Sequence, residues 1–187
     1  MDRTRRIALA GIAAGALAVT GTLIASSASA DGAIHAHATI ASADGSTIGW
    51  AKFTEDGRGV VHVNVSVFGL APGLHGTHVH AVGACDAPLF TTAGAHFNPG
   101  GAAHGRHEHG DHADHHAGDL PNLSVTPSAH GHLTTSTAHF TLSHRDATSL
   151  FDSDGSAIVV HAGPDDYVTQ PTGNSGGRVA CGVIERT

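Results

Sequence analysis

Two histidines one residue apart, His78 and His80, close the run Gly73-Leu74-His75-Gly76-Thr77-His78-Val79-His80. In an extended strand alternate side chains share a face, so these imidazoles point the same way, about 6–7 Å apart at the backbone. Two such rings can converge on one metal ion. Further donors follow along the chain: His96 in His96-Phe97-Asn98-Pro99, then His104, then His116 and Asp119 in His116-Ala117-Gly118-Asp119, and His161 after Val159-Val160. Imidazoles from several segments together with one carboxylate form the ligand mix of borderline metals.

Strands must carry these donors. Val60–Phe68 alternates Val with His, Asn and Ser, the pattern of a half-buried strand. Ala33–Ile40 and Thr47–Thr54, joined by the turn Ala43-Asp44-Gly45-Ser46, read as a hairpin. Further strands are predicted over His75–Ala81, Leu120–Val125, His132–Leu142, Ala157–His161 and Arg178–Ile184. The count is about eight, with no helix, which places the chain in an all-β, sandwich-like class. His62 alternates with Val and should face solvent. His35 and His37 also sit at strand spacing and are read as solvent-facing. From Val82 to about Gly118 nothing is periodic, and a loop that long in a compact domain is functional or disordered. Gly163–Gly177 is a second loop, rich in Gly and Pro and lacking charge from Tyr167 onward.

Histidine is over-represented, with 18 copies in 187 residues. Six fall between His104 and His116: those two with His107, His109, His112 and His115. Aromatics make up only 4%, so small aliphatic side chains must fill the core. The formal charge of −7 argues against a nucleic-acid partner. Residues 1–30 read as a signal peptide. Arg3, Arg5 and Arg6 precede the apolar run Ile7–Ile24, and Ala28-Ser29-Ala30 is a small-residue cleavage site. The mature domain is then 31–187, secreted or held in the cell envelope, with no membrane attachment after cleavage. The two cysteines, Cys85 and Cys181, pair by default in an oxidising compartment.

Taken in order, Gly73–His80, His96–Pro99, His116–Asp119, Gly118–Pro121, Val159–Asp166 and Thr172–Ile184 resemble the motifs of the copper–zinc superoxide dismutase family. The resemblance spans about Ala33 to Ile184. It implies an eight-stranded antiparallel Greek-key barrel or sandwich with two long functional loops. It implies copper on His78, His80, His96 and His161, and zinc on the shared His96 with His104, His116 and Asp119. Arg178 becomes the anion guide for superoxide, and His96 a catalytic proton carrier. Asp165 becomes a carboxylate linking ligand histidines, His75 a structural histidine, and Cys85–Cys181 the family disulfide. Among so many histidines His115 rivals His116 in register.

Two other readings use the same residues. One is an exported copper- or zinc-binding buffer on this fold, with the His tract as its working part. The other is a copper-only dismutase. Arg178 and His161 argue for catalysis over storage, and His116 with Asp119 for a zinc site.

Overall fold

Alternation writes most of the barrel. In β3 (Val61–Phe68) Val61, Val63, Val65 and Val67 are fully buried while His62 and Phe68 face out. β1 (Ile34–Ser42) turns Ala36, Ala38 and Ile40 inward and leaves His35 and His37 exposed. β2 (Thr47–Glu55) adds Ala51 and Phe53. The computed structural model describes residues 32–105, 115–144 and 146–187. All of them fall in one unit, Asp31–Thr187. The expected signal peptide, His107, His109 and His112 lie outside the described residues.

The remaining strands are β4 (Gly73–His75), β5 (Thr77–His80), β6 (Leu123–Val125), β7 (His130–Thr137), β8 (Ala157–His161), β9 (Arg178–Val183) and β10 (Glu185–Arg186). The sheet is antiparallel, with the order β4-β6-β7-β3-β2-β1-β9-β8-β5 and β10 on β1. β3 pairs with β7 rather than with β4, which is the crossover of a Greek key.

The two ends of that order are halves of one stretch. Residues 73–80 switch partners at Gly76: His75 pairs with Leu123 of β6, and Thr77 pairs with Val160 of β8. Gly76 keeps bonding on the β8 side, donating to the Gly163 carbonyl and accepting from His161 N–H, each at 2.8 Å. A Cβ there would lie 2.7 Å from the Ser175 Cβ, so the bend needs glycine. One kinked strand nearly closes the barrel. Among the described residues, counting 73–80 as one strand and β10 as an extension of β9 recovers the expected eight.

Several strand ends differ from the sequence expectation, and those of β6 and β7 have their reason in specific hydrogen bonds. β6 starts at Leu123, not Leu120, since Leu120 N–H bonds Thr77 and Asn122 N–H bonds the Tyr167 hydroxyl. β7 starts at His130 because the turn through Ala129, with φ of 60°, closes earlier. It ends at Thr137 rather than Leu142. The buried Glu55 carboxylate takes the Thr141 hydroxyl at 2.7 Å and the Leu142 N–H, and so draws that segment off the sheet.

Both long loops lie at the β5–β8 side. The first, after β5, carries a 3-10 turn at Thr91–Ala93. It is tied to β9 by the Cys85–Cys181 disulfide, with the Cα atoms 5.7 Å apart. The bridge spans 96 residues of sequence and therefore restricts the unfolded chain strongly. Replacing both cysteines with Ser is expected to cost about 2–5 kcal/mol, read from urea unfolding beside the oxidised parent.

Candidate metal centre

β5 and its neighbours converge the donors. His78 and His80 are held on one strand and both are fully buried, because loop segments cover the outside of β5. His96 and Asp119 dock on that strand as isolated bridges, His96 opposite His80 and Asp119 opposite His78. The docking runs through one residue. Phe97 N–H bonds the Val79 carbonyl at 2.8 Å, and Val79 N–H bonds the Gly118 carbonyl at 2.9 Å. A Cβ at Gly118 would overlap the Val79 carbonyl, which accounts for the glycine in His116-Ala117-Gly118-Asp119. β8 ends at His161, where a register shift turns it toward the same space. An Ala103–His115 bridge joins the arms that carry His104 and His116.

The first group is His78, His80, His96 and His161, whose ligand atoms lie within 4.8 Å of one another. Three of these rings have their outer nitrogen held by protein. His78 Nε2–H donates to Asp165 at 2.7 Å, His80 Nδ1–H to the Gly94 carbonyl at 3.0 Å, and His161 Nδ1–H to the Gly176 carbonyl at 3.1 Å. The inner atoms, His78 Nδ1, His80 Nε2, His96 Nε2 and His161 Nε2, are buried and have no hydrogen-bond partner among the described residues. Each unmet buried polar atom costs about 1–3 kcal/mol. Burial pushes His78 down to about 4 and His161 to about 3, and holds His80 well below its ordinary value. These rings are neutral at pH 7, and their lone pairs converge as a metal requires.

The second group is His96, His104, His116 and Asp119, also within 4.8 Å. Asp119 lies 2.8 Å from His96 Nδ1, 2.8 Å from His104 Nδ1 and 3.4 Å from His116 Nδ1. His116 Nδ1 and His96 Nδ1 are 3.3 Å apart. That is about the edge of a tetrahedron with metal–nitrogen bonds of roughly 2.0 Å. His96 belongs to both groups, one ring nitrogen to each. Burial opposes charge on His104, but the Asp119 and Asp165 carboxylates raise it to about 9. Burial likewise opposes charge on Asp119, yet hydrogen bonds from His104 and His96 hold it below the usual carboxylate range. The pocket is therefore built for positive charge. Four imidazoles in the first group, and three imidazoles with one carboxylate in the second, are donor sets that borderline metals such as copper and zinc accept.

Residues 47–184 match the family described as copper/zinc superoxide dismutase (SODC). The chain belongs to this family. A protein named superoxide dismutase [Cu-Zn] 2 from Aquifex aeolicus is 38% identical over 178 residues, covering 94% of this chain and 98% of that one. A superoxide dismutase-like protein of Bacillus subtilis is 34% identical over 149 residues, covering 79% and 74%. A crystal structure of a SOD-like protein from Bacillus subtilis superposes with a TM-score of 0.71 at 34% identity, covering 78% of this chain and 95% of that one. Family membership supports superoxide dismutation in general terms.

The residues that the family resemblance singled out are brought to the centre. Asp165 joins the two groups, with one oxygen on His78 and the other 3.0 Å from His104 Nε2. Gly173 lies so close that a Cβ would overlap that carboxylate. His75 sets both ring nitrogens against carbonyls, His161 at 2.6 Å and Ala71 at 2.8 Å. Arg178 donates to the Phe90 and Gly94 carbonyls, each at 2.6 Å, so Gly94 receives both Arg178 and His80. It lines a cleft of about 700 Å³ with His80, His96, His116 and His161. His115 stays out of the cluster: its Nδ1–H bonds the His116 carbonyl at 2.8 Å and its ring packs on His139.

Sequence reasoning missed four participants. Asp152 and Asp154 line the same cleft. Asn122 grips the Asp165 backbone, donating to its carbonyl at 2.9 Å and accepting its N–H at 2.8 Å. Gln170 grips His104 in the same manner. Asn122 follows the Gly118–Pro121 motif and could have been found there, but the other three carry no local signal.

The shifts predict a pH profile for the metal-free protein. His78 and His161 refuse protons that the unfolded chain accepts, so their contribution is full above about pH 6.5 and is lost as pH falls through about 4 and then 3. His104 acts in the opposite sense: its contribution is full below about pH 6.5 and is lost as pH rises through about 9. The thermal midpoint should peak near neutrality, and His161→Ala should flatten the acid limb. Calorimetry across the pH series measures both.

Proposed function

We propose that the chain dismutates superoxide to oxygen and hydrogen peroxide, with copper held by His78, His80, His96 and His161 and zinc by His96, His104, His116 and Asp119. The observation that carries this reading is the single His96 ring spanning two complete ligand sets, one of which presents four buried, unpartnered nitrogens. Copper supplies one-electron redox cycling, and zinc a fixed positive charge that does not change oxidation state.

The chain's own residues do the rest. Arg178 is a docking donor: its guanidinium stays charged although burial lowers its pKa, and it faces the cleft beside His80 and His161. Phe90 and Gly94 fix it from behind, so it does not need to be ordered when substrate arrives. His96 Nε2, the nitrogen turned to the first group, would hold a proton when it is not bound to metal and would deliver one of the two protons that hydrogen peroxide formation consumes, the other coming from solvent. Asp165 and the Gly94 and Gly176 carbonyls lock the ring tautomers, so each histidine offers the same nitrogen throughout. A buffer protein has no use for a fixed guanidinium in the cleft.

Residues 1–30 are proposed to direct export, and the protein to act outside the cytoplasm as a secreted or envelope protein. The disulfide supports this, since such bridges persist in oxidising compartments.

Purified protein should carry one copper and one zinc per chain. His161→Ala should abolish most dismutation while zinc is retained, by metal analysis and a superoxide-consumption assay; full activity in that variant would instead favour the storage reading. Arg178→Ile should slow the reaction about ten-fold or more with metal content unchanged, and Arg178→Lys should fall between. Arg178 shares the cleft with Asp152 and Asp154 and acts at short range, so the parent rate should change little across a salt series followed by pulse radiolysis.

A further inference from the structure

Gln170 lies in the second long loop, 66 residues away in sequence from His104. Its carboxamide meets both backbone groups of that residue. Oε1 accepts the His104 N–H at 2.7 Å, and Nε2 donates to the His104 carbonyl at 2.7 Å. The pair imitates one rung of a β-ladder, with a side chain standing in for a strand. The turn that presents Gln170 is itself braced. Asp166 accepts Val168 N–H, Thr169 N–H and the Thr169 hydroxyl at 2.9, 2.8 and 2.6 Å. Gly173 N–H closes the turn on the Thr169 carbonyl at 2.7 Å.

His104 needs such a brace. It sits on a loop rather than a strand, yet it is buried and its ring must face Asp119 on one side and Asp165 on the other. Asp165 orients the ring, but a ring can pivot with its backbone. We propose that Gln170 is a positioning residue for His104: it fixes the backbone so that Nδ1 stays aimed at the second donor group. The proposal rests on the reading of that group as a zinc site. It makes the second loop a support of the zinc side as well as a wall of the cleft, where Pro171 and Thr172 stand.

The test compares the full-length parent with Gln170→Ala and Gln170→Glu. Zinc affinity is read by competition with a chromophoric chelator, and hydrogen exchange reports the His104 amide. Gln170→Ala should weaken zinc binding about 10–100-fold, the range for partners that orient a ligand, while copper retention holds. The metal-free variant should unfold at the parent temperature, with faster exchange at the His104 amide. Gln170→Glu keeps an acceptor for the N–H but sets an oxygen against the carbonyl, so it should weaken zinc comparably. Equal zinc affinity in the parent and Gln170→Ala overturns the proposal alone. A parent that takes up no zinc overturns the metal reading, and this proposal with it.

Discussion

One buried carboxylate, Asp165, sets the orientation of the centre. It accepts from His78 with one oxygen and His104 with the other, and its Oδ1 also takes the Tyr167 N–H at 2.7 Å. A buried charge is tolerated only where its lone pairs are met, and here they are. Burial opposes its ionisation, but the histidine hydrogen bonds hold it below the usual carboxylate range. Because Asp165 claims Nε2 on both rings, both present Nδ1 inward. His80 and His161 have Nδ1 claimed by carbonyls and present Nε2 instead. The outer partners thus choose which nitrogen each ring offers.

The barrel is packed with Val, Ala, Ile and Leu, and the first long loop adds Phe97 to that core and Phe90 and Ala93 to a smaller cluster with Ala157, Val159 and Cys181. Polar and covalent devices fix the loops as well. Asn98 grips Ala102, Asn122 grips Asp165, and Gln170 grips His104, each through both groups of a carboxamide. Glycines at 76, 118 and 173 allow backbones to approach where a Cβ would collide. The disulfide secures the segment whose carbonyls hold Arg178. A bound metal adds its own free energy to this framework, because the donors converge only in the folded chain.

Charge at the cleft is more balanced than composition suggests. Arg178 stands beside neutral, buried imidazoles, and Asp152 and Asp154 line the same space. In the proposed dismutase reading, where the substrate is the superoxide anion, the guanidinium would act at short range as a docking donor, and the chain as a whole would do little to draw the anion in.

Much of this was legible in the residues alone. The Val repeat of β3 marks its buried face, and His-x-His marks two donors on one face, because a strand's period of two is a local property. The family motifs then supplied the remaining donors in order. Tertiary structure decided what no period encodes. The bend at Gly76 depends on Ser175, about a hundred residues away, and the early end of β7 depends on the Glu55 carboxylate. His116 rather than His115 joins the cluster because Gly118 docks on Val79 and sets the phase of the turn before it. Asp152, Asp154 and Gln170 reach the centre only when the loops fold back on the barrel. Sequence fixes the face a residue presents, since its neighbours dictate that. Which residues meet across two loops is set by loop closure, where the contacts themselves determine the path.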